Sequence, residues 1–393
     1  MDKNSKIYVA GHGGLVGSAI WKSLQKKGYT NLVGRTHAEL DLLDGPAVKD
    51  FFDQERPEYV FLAAAFVGGI MANSIFRADF IYKNLQIQQH VIGESYRTKV
   101  KKLLFLGSTC IYPKDVPQPM REEALLTAPL EFTNEPYALA KIAGLKMCES
   151  FNMQYGTNYI AVMPTNLYGP NDNFHLENGH VLPAMIRKVY LSKCLMEEDW
   201  DALVHDLILR PIGGLDLSHL SQGNKPVDTP LQEAIRTALA SFGIGGSQLT
   251  LWGSGNPLRE FLWSEEMADA CVFVMEQVDF SDLNGLPKTM QGLTTSQFLE
   301  HGYQVPEVRN CHINVGTGKE ITIADLAHLV KQTVGYKGTI LWDRSKPDGT
   351  MRKLIDVSKL NRLGWHHKIE IDEGVRKLYD WYLHALGGQK LVR

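Results

Sequence analysis

Cysteine is scarce in this chain and follows no pattern. The five present, Cys110, Cys148, Cys194, Cys271 and Cys311, are odd in number and contain no C-x-x-C pair. That excludes a regular disulfide frame or zinc site and fits reduced thiols in a cytoplasmic protein. Excess charge is missing as well: a net charge of −3 offers no basic field to nucleic acid or to an anionic membrane surface. No apolar run reaches bilayer-spanning length, the longest being YVFLAAAFVGGIMA at 59–72, which a Gly-Gly pair interrupts. The opening MDKNSKIYVAG passes directly into a strand-like run, without the apolar core and cleavage site of a signal peptide. Internal repeats and low-complexity tracts are absent too. What is present is an ordinary globular composition, 44% hydrophobic and 22% charged over 393 residues, enough for one elaborated domain or two lobes.

Strand-like and helical patterns alternate through the first part of the chain. KIYVA leads into GHGGLVGSAIWKSLQKKG, whose apolar spacing predicts a helix ending at Gly28. NLVGR reads as a second strand and GPAVKDFFDQER as a second helix. EYVFLAAA and KKLLFLGS are continuous apolar runs, as strands buried on both faces of a parallel sheet should be. A doubly wound, Rossmann-type α/β fold is the expectation. We expect a dinucleotide domain over 1–175, with returning segments near 258–278 and 311–317. A smaller α/β substrate lobe follows, over 176–257 and 318–393. The stretches near 193–248 and 280–309 carry no chemical motif and read as surface elaboration, with a helix at 229–242.

Gly11, Gly14 and Gly17 form a G-x-x-G-x-x-G between a strand and a helix. Such a loop permits close backbone approach to a pyrophosphate, and the helix N-terminus adds unpaired N–H donors. The acid that usually reads NAD ribose hydroxyls is not at the end of the second strand. VGRTHAELDLLD puts Gly34 and Arg35 there, with no acid before Glu39 and Asp41. An arginine fork suits a 2′-phosphate, so NADP(H) is favoured over NAD.

NEPYALAK at 134–141 sets Tyr137 and Lys141 one helical turn apart, with Pro136 suited to the helix start. An ammonium beside a phenol lowers its pKa and suits it to deliver a proton. Alone, the pair is better read as part of an ordinary amphipathic helix.

In order and spacing, the glycine loop, LGSTCIYP and EPYALAK resemble the extended short-chain dehydrogenase/reductase superfamily. Further blocks, among them MPTNLYGPNDNFH, GHVLPAMIRK, WGSGNPLREFL, INVGTG and SKPDGTMRKL, are similar to the GDP-L-fucose synthase family within it. That resemblance implies C3 and C5 epimerisation of GDP-4-keto-6-deoxy-D-mannose followed by C4 reduction with NADPH. It makes Ser108, Tyr137 and Lys141 the reductive set, and Cys110 and His180 the epimerising base and acid. Cofactor contacts would be Gly11, His12, Gly13, Gly14, Leu15, Val16, Gly17, Arg35, Asp41, Leu42, Ala63, Ala64, Ala65, Leu106, Gly107, Ser108, Lys141, Pro164, Thr165, Asn166, Leu167 and His180. Lys188, Trp252, Arg259, Lys346 and Asp348 would meet the GDP-sugar, no metal is implied, and a homodimer is.

Some members carry basic residues where this chain has Gly13 and His37, which leaves Arg35 as the main 2′-phosphate contact. A dehydratase of the same superfamily would show an acid pair after the catalytic serine, and STCIYP has none. A 4-epimerase would need no cysteine–histidine pair. A non-catalytic nucleotide sensor typically loses the tyrosine or lysine, and both are here.

Overall fold

The continuous apolar runs of the first 164 residues each supply a strand with almost no water contact. Ile7–Ala10 and Lys102–Leu106 are buried throughout, and Tyr59–Leu62 and Tyr159–Pro164 at all but one end residue. With Leu32–Val33 and Ile313–Val315 they form a six-stranded, wholly parallel sheet in a computed structural model that describes residues 1–215, 217 and 228–387. The strand order is 313–315, 159–164, 102–106, 59–62, 7–10, 32–33. It reverses at 7–10, whose neighbours 32–33 and 59–62 lie on opposite sides. Beyond the carboxyl ends at such a reversal, doubly wound folds bind ligands.

Strand alternation assigns side chains to two cores. Tyr8, Val60, Leu103 and Phe105 pack with Val48, Phe52, Val91, Ile92 and Leu145 from helices Gly45–Glu55, Arg77–Arg97 and Glu135–Tyr155. Ile7, Val9, Phe61, Leu104 and Leu106 face Ile20, Leu24, Met267, Cys271 and Val274 from helices Leu15–Lys26 and Ser264–Gln277. The returning helix 264–277 is fixed by one buried cation. Lys102 Nζ donates to the carbonyls of Val274, Met275 and Val278 and to the Asp279 carboxylate, satisfying a helix C-terminus with positive charge. This first unit comprises Met1–Leu167, Glu260–Lys319 and Lys353–Lys368. Within it, residues 280–309 include a short helix, Thr295–Glu300, closed by a reciprocal Thr294–Gln297 cap.

The second unit comprises Tyr168–Arg259, Glu320–Arg352 and Ile369–Arg393. Helices Val181–Glu197, Trp200–Leu209, Thr229–Ala240, Ile323–Val334 and Ile371–Ala385 accompany a parallel pair of strands, Gln248–Trp252 and Thr339–Asp343. Of the stretch 193–248, residues 216 and 218–227 lie outside the described residues, as do 388–393 of the carboxyl end. Surface elaboration does not describe 200–209. Asp206 is wholly buried there, accepting from Arg187 Nε at 2.8 Å and from the Tyr382 hydroxyl at 2.5 Å. Arg187 is equally buried and also donates to the carbonyls of Phe174 and Arg210. The segment is a core element because a buried charge pair, with each guanidinium nitrogen hydrogen-bonded, anchors it. Among the described residues no helix is long and apolar enough to cross a membrane.

Removing Asp206 leaves Arg187 charged and dry. Asp206→Ala should lower the unfolding free energy by about 3–5 kcal/mol, read by chemical denaturation; a loss under about 1 kcal/mol would contradict a buried ionic anchor.

Candidate active site

Where buried strand 102–106 ends, the chain turns sharply. Gly107 sits against Met163, and a Cβ there would stand 2.3 Å from its sulfur. Ser108 then caps the turn Thr109–Ile111, its Oγ accepting from the Cys110 backbone N–H at 3.3 Å. The same hydroxyl donates to Cys110 Sγ at 3.1 Å and is hydrogen-bonded to the Tyr137 phenol. Helix 135–155 supplies Tyr137 and Lys141, with Pro136 in its first turn. Asn134 precedes that helix without capping it; Nδ2 reaches Cys110 Sγ instead, at 3.4 Å. Lys353 Nζ stands 3.8 Å from the same sulfur. Ser108, Cys110, Tyr137 and Lys141 are thus brought together, and three donors converge on one thiol.

Burial governs the titrations here. Lys141 Nζ donates to the Leu106 carbonyl at 2.8 Å and lies 5.7 Å from the Tyr137 ring centre. Desolvation pulls its pKa down to about 8, with the charge on Cys110 opposing. The Tyr137 pKa is pushed up, first by burial and then by Cys110, while the Ser108 hydrogen bond opposes. The expected lowering of the phenol by Lys141 is therefore not what the structure gives. The ammonium is committed to a carbonyl, and desolvation outweighs it. Tyr137 therefore keeps its proton at neutral pH.

The glycine loop forms a cradle with no room for side chains. Gly11 adopts φ +82°, and a Cβ would stand 2.8 Å from Ala64 N; at Gly17 it would stand 2.0 Å from the Gly11 oxygen. Helix 15–26, opened by Leu15 and Val16 after Gly14, has neither a side-chain cap nor an acid in its first turn. Its leading N–H groups are free for an anion, which fits a pyrophosphate. Gly13, by contrast, faces open space. The His12 ring lies against Gly34, with Nδ1 buried and unpartnered. Arg35 pairs with Glu55 at 2.6 Å and lies 5.6 Å from the Phe51 ring centre. Asp41 accepts from the Leu43 N–H, and the Leu42 carbonyl is held by His90.

Ala63–Ala65 follow strand 59–62, and the Asn84 amide brackets the next residue, Phe66, through both its N–H and its carbonyl. After Pro164, Thr165 N donates to the Val315 carbonyl at 3.0 Å and Asn166 Nδ2 to the Glu260 carbonyl at 2.8 Å; Leu167 packs against the core.

The remaining expected residues belong to the second unit. His180 precedes helix 181–197, and its Nδ1 meets Asp172 Oδ1 at 3.1 Å. That bond raises the His180 pKa against the opposing effect of burial. Lys188 Nζ donates to the Phe242 carbonyl at 3.0 Å and lies 5.7 Å from the centre of Trp252, an exposed ring that Lys346 also approaches, at 5.4 Å. Burial lowers the pKa of Lys188. Arg259 donates to the Leu258 carbonyl. Asp348 commits both oxygens to Ser254, backbone N–H and hydroxyl, and so holds the Gly253–Gly255 turn.

Sequence reasoning missed Asn134, Lys353 and Asp172. Each lies inside a block already singled out, NEPYALAK, SKPDGTMRKL and YGPNDNFH, but no spacing rule marks them.

Residues 7–204 and 218–285 match the sequence pattern of the NAD dependent epimerase/dehydratase family. The chain belongs to that family. Within the epimerase/dehydratase family it is 47% identical to GDP-L-fucose synthase 1 of Arabidopsis thaliana over 382 residues, 97% of this chain and 94% of that protein. It is 43% identical to GDP-L-fucose synthase of Escherichia coli (strain K12), covering 96% of each. Among solved structures it is similar to a GDP-mannoheptose C4 reductase from Campylobacter jejuni with NADP bound, at 40% identity and a TM-score of 0.78, over 97% of this chain and 99% of that one.

The His180–Asp172 bond should be visible in solution. In Asp172→Asn the His180 imidazole, followed by NMR titration, should move down from its raised pKa, so that the imidazolium is lost at lower pH. An unchanged titration would mean that Asp172 does not hold the proton there.

Proposed function

We propose that this chain converts GDP-4-keto-6-deoxy-D-mannose to GDP-L-fucose, epimerising C3 and C5 and then reducing C4. It is an NADP-dependent oxidoreductase with epimerase activity. The observation that carries the reading is the Cys110 thiol on the hydroxyl, Ser108, that also holds Tyr137. A proton-abstracting group and a proton-donating group share one support beside the same carbonyl position. The names of the relatives point to GDP-L-fucose as the product, and the NADP bound to a GDP-mannoheptose C4 reductase points to the cofactor.

NADPH, when bound, supplies the hydride for the C4 ketone. The chain's residues do the rest. The Gly11–Gly17 cradle and the first turn of its helix would hold its pyrophosphate, and Arg35, which pairs with Glu55, would take the 2′-phosphate. Ser108 orients the C4 carbonyl. Tyr137 gives its proton to the oxygen as charge develops, and the Lys141 cation stabilises the phenolate left behind. Before reduction, that same polarised carbonyl acidifies the protons on C3 and C5. At each of these carbons in turn Cys110 removes the proton, and His180, kept protonated by Asp172, returns one on the other face. The Trp252 ring with Lys188, Lys346 and Arg259 receives the guanosine diphosphate.

The first unit acts as the cofactor domain and the second as the substrate lobe. The protein works as a cytoplasmic homodimer. Exposed Tyr82 and Leu139, on helices 77–97 and 135–155, supply apolar surface for the subunit contact.

The test mixes protein, NADPH and GDP-4-keto-6-deoxy-mannose, follows absorbance near about 340 nm, the reduced-nicotinamide signal, and identifies the sugar by NMR. GDP-L-fucose is expected. An unepimerised C4-reduced sugar would make the chain a simple C4 reductase. Tyr137→Phe should keep NADPH binding and lose roughly 10²–10⁴-fold in reduction; near-wild-type reduction would remove it as the acid. The Lys141 cation is present below its pKa and lost as pH rises through about 8. The reductive rate constant should therefore fall above that pH, and a flat profile to higher pH would contradict its role.

A further inference from the structure

We propose that Lys353 is a positioning residue for the Cys110 thiolate, its ammonium holding the sulfur ionised and aimed as the base of the epimerisation. The inference deepens the function proposed above and rests on it for the substrate, but not for its first test.

Half-buried lysines elsewhere in the first unit have oxygen acceptors. Lys146 pairs with Glu149, and Lys359 donates to two backbone carbonyls and faces Glu122. Lys353 is half-buried too, yet among the described residues its Nζ meets no carboxylate, and its hydrogen-bond partner is Cys110 Sγ at 3.8 Å. A cation taken partly out of water needs an anion or several acceptors. Here a thiolate is the group able to meet that need, and a thiol beside an ammonium ionises more readily.

The backbone holding the lysine is fixed on its carboxyl side. Leu354 N donates to Gln118 Oε1 at 2.8 Å, its carbonyl accepts from Met120 N at 2.8 Å, and Ile355 N donates to buried Glu260 Oε2 at 3.1 Å. Ser108 and Asn134 complete the donors around the sulfur. In the step itself the thiolate takes the proton. The C–H bond breaks, S–H forms, and the electron pair moves to the C4 oxygen as an enolate. Lys353 keeps its own proton throughout, so it acts through Cys110.

Selective alkylation tests this directly, because Cys110 is partly exposed while Cys148, Cys194, Cys271 and Cys311 are buried. Full-length protein is treated with iodoacetamide at neutral pH, and modification of Cys110 is timed by peptide mass spectrometry. Lys353→Met should slow it on the order of tenfold, whereas Lys353→Arg, which keeps the cation, should stay within about threefold of wild type. With the sugar nucleotide in deuterated water, Lys353→Met should lower the ratio of deuterium entry at C3 and C5 to C4 reduction by a similar factor.

Wild-type alkylation in Lys353→Met overturns the proposal. A raised KM for the sugar nucleotide with unchanged alkylation does so too, and would place the lysine on the diphosphate. If alkylation slows but wild-type protein turns over no 4-keto sugar nucleotide, the Lys353 assignment stands and the proposed function falls. NADPH binding checks folding, and Lys353→Gln carries the same comparison should the methionine variant not fold.

Discussion

A serine hydroxyl has one proton and two lone pairs, and that arithmetic is what the proposed chemistry rests on. Ser108 Oγ touches Cys110 Sγ, the Cys110 backbone N–H and the Tyr137 phenol at once. If it donates to the sulfur, it can only accept from the phenol; if it donates to the phenol, the sulfur must rely on Asn134 and Lys353. The hydrogen bonds made to the thiol and to the phenol are therefore coupled through a single rotor. That rotor is held still by the structure beneath it: a fully buried strand, a glycine packed against Met163, and one capped turn.

Desolvation sets the working state of the other groups. Tyr137 is kept protonated by burial, which suits an acid meant to respond to an alkoxide and to little else. Lys141 remains a cation near neutrality but a precarious one, anchored on the Leu106 carbonyl at the end of the same strand. His180 is treated in the opposite way. It is given a carboxylate, and the proton it would return is stabilised. Phenol, ammonium and imidazole thus differ in how each is compensated for leaving water.

Much of this was legible in the sequence. Continuous apolar runs announced the parallel sheet, because strands covered on both faces need no polar alternation. The glycine loop declared itself by position, between strand and helix, and Gly11 and Gly17 prove sterically obligatory. The pair of Tyr137 and Lys141 was readable only once Ser108 gave it a partner. What was not legible depends on long-range contact. Lys353 and Cys110 are 243 positions apart. Arg187 and Asp206 lie one in a quoted block and one in a stretch without motif, and no local signal pairs them although packing excludes water from both. The direction of the Tyr137 shift was misjudged for a related reason: local spacing shows the neighbouring ammonium but not how deeply both groups are buried.

The central claim is that one hydroxyl serves both halves of the reaction, and Ser108→Ala tests it most directly. Deuterium entry at C3 and C5 and hydride transfer to C4 would be measured on the same variant, with NADPH binding as the control for folding. The account predicts that both rates fall, each by on the order of tenfold or more, as expected when a positioned hydrogen bond at a reacting carbonyl is removed. Loss of reduction with exchange intact would show that Ser108 belongs to Tyr137 alone, and that the coupling described here does not operate.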